Sequence, residues 1–128
     1  MTVTAVVLLL ALFVAHDLGD FTPLATARIR RAKAEGGPMG PIAVHAGVHA
    51  VLVGVVVLLV IRPPAPVLGL AMSLEFLTHF EIDDSRARLG LRAPALADMR
   101  SNPFWWALGV DQLLHTSVLV GIAVLVLG

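Results

Sequence analysis

Every histidine in this 128-residue chain has a histidine or an aspartate four positions away. His16 is paired in this way with Asp20, His45 with His49, His79 with Asp83, and His115 with Asp111. Four residues advance a helix by about 400°, so each pair shares one face with its side chains about 6 Å apart along the axis. Imidazoles and carboxylates repeated at that spacing form a donor set for a divalent cation, which binds imidazole neutral and carboxylate ionised. His16, Asp20, His45, His49, His79, Asp83, Asp111 and His115 are therefore candidate ligands for one or two ions. Mixed nitrogen and oxygen donors suit zinc, manganese or iron, and nothing in the sequence chooses among them. Glu75 extends the third pair, because Glu75, His79 and Asp83 follow at intervals of four. It is a candidate ligand, an orienting partner for an imidazole, or a general base. Gln112 points about 100° away from Asp111 and is expected to hydrogen-bond between helices.

The elements that must position these pairs are apolar. Hydrophobic residues make up 58% of the chain and charged ones 14%, with a mean hydropathy of +0.90, which indicates a membrane protein and not a soluble domain. A bilayer core asks for about 20 apolar residues in helix, and four windows meet this, at about Thr2–Leu18, Pro41–Ile61, Ala65–Ile82 and Phe104–Leu127. The first has no basic leader of the kind a secretion signal carries and is read as a span. The expected fold is an all-α membrane protein, one domain over residues 1–128, with four transmembrane helices in a bundle and a short basic interfacial helix after the first span. Thr22 is expected to cap that interfacial helix and Pro23 to begin it, with "LATARIRRAKAE" running helically until Gly36 and Gly37 stop it. The later connection "DDSRARLGLRAPALADMRSN" reads as a surface loop with one helical turn, broken at Pro94. Pro103 suits the first turn of the last span, with Trp105 and Trp106 at the interface.

Nine basic and nine acidic residues leave no net charge, but their placement is uneven. Arg28, Arg30, Arg31 and Lys33 fall in the first connection and Arg86, Arg88, Arg92 and Arg100 in the third, leaving only Arg62 in the tight turn between spans two and three. The positive-inside rule then places both basic connections in the cytoplasm and both termini outside. On that topology all four pairs lie in the cytoplasmic half of the membrane, where four helices can close around one polar centre. The basic residues either orient the chain and hold anionic lipid head groups, or gather a phosphate-bearing substrate over the centre. A faint repeat, residues 15–33 against 78–92, would give the bundle a pseudo-twofold axis along the membrane normal. The absence of cysteine excludes disulfides, thiolate sites and iron–sulfur clusters. With no basic domain, a nucleic-acid partner is not expected.

At "AHDLGDF", "HAGVH", "HFEIDDSR" and "VDQLLH" the sequence resembles an uncharacterised family of small bacterial integral membrane proteins, domain of unknown function 3307. The likeness covers nearly the whole chain and rests on His16, Asp20 and Phe21, on His45 and His49, on His79, Ile82, Asp83 and Arg86, and on Asp111, Gln112 and His115. Leu24 and Arg86 depart from the glutamine and lysine usual among relatives. The family is distantly similar to predicted membrane-bound metal-dependent hydrolases, a resemblance that implies a metal and the bacterial inner membrane and leaves the reaction open. The preferred expectation is a hydrolase acting on a lipid-type substrate, a lipid phosphate foremost, with Glu75 and Arg86 as catalytic candidates and membrane lipids, a lipid-linked phosphate or a second copy of the chain as partners. The alternatives are a proton or divalent-ion transporter, and a structural subunit with a hydrogen-bonded polar core. Haem ranks lower because bis-histidine ligation leaves the aspartates unexplained. Taken singly, Asp20 and Asp83 also suit helix-end positions at the aqueous boundary.

Overall fold

Thr2 opens the first helix by accepting a hydrogen bond from the Ala5 amide at 3.2 Å, satisfying one of the donors that a helix start leaves free. The computed structural model, which describes residues 2–36 and 38–128, is helical from there on: α1 (Val3–Phe21), α2 (Ala27–Glu35), α3 (Met39–Val60), α4 (Ala65–Arg92) and α5 (Asn102–Leu127), with a 3₁₀ turn at Pro94–Leu96.

The expected start of α2 needs correction. Thr22 hydroxyl donates back to the Leu18 carbonyl and accepts from the Leu24 amide, and Ala25 N–H bonds Thr22 O at 3.0 Å. Thr22 and Pro23 are thus consumed by the turn that reverses the chain after α1. The cap falls to Thr26, whose hydroxyl accepts from Ile29 N–H at 3.3 Å. Gly36 ends α2 as expected, with φ 59°, a left-handed conformation that glycine adopts without steric cost; Gly37 lies outside the described residues. The loop expected after Asp83 is also corrected. α4 continues without interruption to Arg92, because alanine, leucine and arginine are good helix formers that outweigh the single Gly90, and the first proline is Pro94. An Asp84–Arg88 ion pair of 2.6 Å, one turn apart, supports this extension. Ser101 caps α5 and Pro103 lies in its first turn, as the sequence predicts. Trp105 and Trp106 follow on exposed positions.

Helices α1, α3 and α5 are long and apolar enough to cross a membrane. α4 spans 28 residues, but carries Glu75, Glu81, Asp83, Asp84, Arg86, Arg88 and Arg92 and is not among them. α3 and α4 form the most extensive helix pair, closed by the turn at residues 61–64 in which Arg62 takes φ 55° and its N–H reaches Val57 O at 3.2 Å. Close approach within this hairpin depends on Gly54, where a Cβ would stand 2.7 Å from Met72 Sδ.

Each long helix buries a stripe that changes character along its length. On α1 the stripe runs Leu8, Leu12, His16; on α3, His45, His49, Val53, Val57; on α4, Ala71, Glu75, His79, Asp83; on α5, Asp111, His115, Leu119, Ala123. The apolar ends meet in one core of Leu8, Leu12, Val53, Val57, Leu119 and Ile122. The polar ends meet beside it, and α2 packs against α3 and α4 at that end, burying Ala32 with Ile42 and Ala87. The outer faces expose Leu10, Val14, Leu59, Leu77, Leu113 and Val124. Apolar side chains outside and ionisable ones inside suit a lipid surrounding.

Candidate metal centre

Spacing of four residues delivers the polar side chains to one place. The five imidazoles form a continuous cluster: His49 stacks on His79 with ring centroids 3.8 Å apart, His79 lies 4.2 Å from His115, His45 4.6 Å from His49, and His16 4.9 Å from His115. Asp20 enters from α1. Its Oδ1 is 2.9 Å from His45 Nε2 and 3.4 Å from His49 Nε2, and its Oδ2 is 3.4 Å from His16 Nε2. Asp83 enters from α4, with Oδ2 3.5 Å from His79 Nε2 and Oδ1 3.7 Å from His115 Nε2. Neither carboxylate spends itself on a helix end.

This donor set fits a divalent ion. Around a tetrahedral zinc with bonds of about 2.0–2.1 Å, neighbouring donor atoms stand about 3.3 Å apart, and each aspartate already has imidazole nitrogens near that distance. Three overlapping groups bring their donor atoms within 4.8 Å of one another: His16, His49, Glu75 and His79; Asp20, His45, His49 and His79; and His79, Asp83 and His115. Nε2 of His16, His49, His79 and His115 and Oδ2 of Asp83 are buried with no hydrogen bond of good geometry among the described residues, and Asp83 Oδ1 meets only the Lys33 ammonium, at 2.9 Å. Polar atoms so placed are costly unless something binds them.

Glu75 is 2% exposed, and its Oε1 lies 3.2 Å from His79 Nδ1. A carboxylate accepting the Nδ1 proton turns Nε2 toward the cluster as a lone-pair donor, which is the usual support for a ligating histidine. Gln112 makes the interhelical hydrogen bond expected of it, donating from α5 to Asp20 Oδ2 on α1 at 3.3 Å, and a second to Asp111 Oδ2 at 3.2 Å. Asp111 is buried, is in none of the three groups, and keeps its Oδ1 without a partner among the described residues. Arg86 stands apart from the imidazoles. Its Nη2 donates to Leu96 O at 3.3 Å, its guanidinium carbon lies 5.5 Å from the Phe104 ring centroid, and its Nη1 is buried without a partner among the described residues.

Two residues that the spacing did not single out also belong to the centre. Lys33, reached from α2, sets its ammonium 2.9 Å from Asp83 Oδ1, 3.5 Å from Asp20 Oδ1 and 3.4 Å from His45 Nε2. Burial alone would lower its pKa, but the Asp83 and Asp20 carboxylates outweigh that and hold it above the ordinary lysine value, so it carries its charge. Lys33 stands one turn after Ile29, on the side of α2 that Ile29 and Ala32 bury. Gly19 is the second. A Cβ there would overlap Cε1 and Nε2 of His49 and stand 3.1 Å from its Cδ2, so the glycine makes the room that the imidazole occupies.

Beside the centre lies a cavity of about 420 Å³ with Asp20, Asp111 and Gln112 on its wall and three cations, Arg30, Lys33 and Arg86, around it. A larger, mainly apolar groove of about 670 Å³ runs between α4 and α5 past Ile82, Leu89, Trp106 and Leu114.

Fold and site together define the class: an all-helical chain with three helices able to span a bilayer, enclosing buried histidines and carboxylates compatible with a metal ion. Residues 8–128 match the family described as "Protein of unknown function (DUF3307)", and the chain belongs to that family. No curated protein and no solved structure matches it.

Proposed function

We propose that this protein is a membrane-embedded metal-dependent hydrolase that cleaves a lipid phosphate, with α4 as a fourth span and α2 as a basic helix on the cytoplasmic side. The reading is carried by one observation: the cavity holding Arg30, Lys33 and Arg86 opens onto Asp20, which itself touches three imidazoles. Cations gather a phosphate, and the adjoining donors would hold the ion.

A bound zinc, manganese or iron ion would supply Lewis acidity toward a phosphoryl oxygen and lower the pKa of a water. The chain's own residues do the rest. His16, Asp20, His45, His49, His79, Asp83 and His115 hold the ion or ions, Glu75 orients His79, and Lys33 and Arg86 balance the charge of the phosphoryl group. Asp111 Oδ1, an acceptor with no partner of its own, takes a proton from the attacking water. The water oxygen forms a new bond to phosphorus, the ester P–O bond breaks, and the proton passes to the departing lipid oxygen, giving a lipid alcohol and phosphate.

α4 crosses the membrane in this reading because it packs between α3 and α5 and turns Glu75, His79 and Asp83 inward. An ion conduit is the weaker reading, since the buried core beyond the centre, Leu8, Leu12, Val53, Val57, Leu119 and Ile122, offers no polar station. Elemental analysis of protein purified without chelator, followed by phosphate release from a panel of lipid phosphates, tests the proposal. Stoichiometric metal that falls in Asp83→Ala and His79→Ala, with phosphate release, is expected. A folded protein with no metal, or a loaded one inert on the whole panel, would overturn it.

A further inference from the structure

Arg86, Leu96 and Asp111 line both cavities, so the basic chamber and the apolar groove between α4 and α5 adjoin across these three side chains. The groove runs along a surface whose neighbours, Leu89, Trp106 and Val110, are exposed apolar residues, the part of a membrane protein that meets lipid. Where the groove joins the chamber, two polar side chains carry unsatisfied atoms: Arg86 Nη1, a donor, and Asp111 Oδ1, an acceptor. Arg86 is held in place by the Leu96 carbonyl and the Phe104 ring, which leaves Nη1 for something else.

We infer that the α4/α5 groove seats the hydrocarbon chain of a single-chain lipid phosphate monoester that enters sideways from the membrane, with Arg86 holding the phosphate at the junction. The inference rests on the lipid-phosphate reading of the centre and adds the route and the determinant of specificity. An uncharged lipid would fill the groove and leave Arg86 unpaired. A free phosphate would occupy the chamber and leave the groove to bulk lipid. Only an amphiphile with an anionic head satisfies both, and Asp111 Oδ1 is left for the attacking water.

Trp106 lines the groove, and the chain's other tryptophan, Trp105, can be replaced to make it the sole reporter. Trp105→Phe protein in phosphatidylcholine proteoliposomes is titrated with hexadecyl phosphate, hexadecanol and inorganic phosphate, following Trp106 emission. The expected result is a saturable change with hexadecyl phosphate at least about tenfold tighter than with hexadecanol, as a charge-assisted contact predicts, and none with inorganic phosphate. Arg86→Gln should erase the preference over hexadecanol. Val110→Phe, which adds bulk at the groove from a lipid-facing position, should weaken hexadecyl phosphate binding while leaving metal content unchanged. Equal response to the alcohol, or indifference to both substitutions, would overturn the inference. Failure of the hydrolase reading looks different: saturable binding without phosphate release leaves the groove standing, whereas release from butyl phosphate as fast as from hexadecyl phosphate leaves the hydrolase and removes the groove.

Discussion

Replacing Gly19 by alanine should act against the helix rule. In an ordinary helix the change favours folding by about 0.5–1 kcal/mol. Here the new methyl carbon would overlap two atoms of the His49 ring, which must retreat by about 1 Å to regain van der Waals distance. The ring has little room, because it stacks on His79 at 3.8 Å and meets His45 at 4.6 Å. A zinc–nitrogen bond tolerates about ±0.2 Å, so a displacement of that size removes His49 from any ion it holds, and affinity should fall by at least about 10–100-fold, the effect of losing even a supporting contact. Overpacking should also cost about 1–3 kcal/mol of stability. The control is Gly109→Ala, where a Cβ meets nothing within 4 Å. Zinc competition against a chromophoric chelator, with thermal denaturation in the same detergent, reads both effects. A Gly19→Ala protein that binds zinc as tightly as Gly109→Ala and melts no lower would refute the argument.

Lys33→Met should destabilise the metal-free protein by about 2 kcal/mol, discounted from a fully buried pair because Lys33 is 25% exposed, and added zinc should recover most of the loss, as denaturation with and without metal will show. Equal loss in both states would mean that the ammonium does not share the role of the ion. Glu75→Leu should weaken metal binding by about 10–100-fold, while Glu75→Gln, which keeps an acceptor for His79 Nδ1–H, should lose less; the same competition titration separates them. Gln112→Leu should lower stability by about 0.6 kcal/mol, a typical interhelical hydrogen bond in membrane, with metal stoichiometry intact by elemental analysis.

The arrangement of the centre was legible because a helix turns regular spacing into shared direction. His16, His45, His49, His79, Asp83 and His115 converge as their intervals imply, and Gln112 bonds across helices as its angular offset implies. What the spacing could not carry was tertiary. Thr22 and Thr26 are equally good caps by type, and only the reversal after α1 decides between them. The polar composition of "DDSRARLGLR" resembles a loop, yet its arginines, leucines and alanine carry the helix past Gly90, and helix wins until proline intervenes. Lys33 looked like one of several basic surface residues, because nothing local shows that α2 folds back over the centre. Gly19 carries no local signal, since its meaning is the space it leaves for a ring 30 residues away.

Among the described residues, five of the eight buried polar ones, His45, His49, Glu75, His79 and Asp83, belong to the single hairpin of α3 and α4. Two antiparallel rods joined by a four-residue corner bring these five side chains together within one stretch of sequence. The hairpin is the clasp of the pocket, and the flanking rods α1 and α5, which bring His16, Asp20, Asp111 and His115, are the cheeks that shut it.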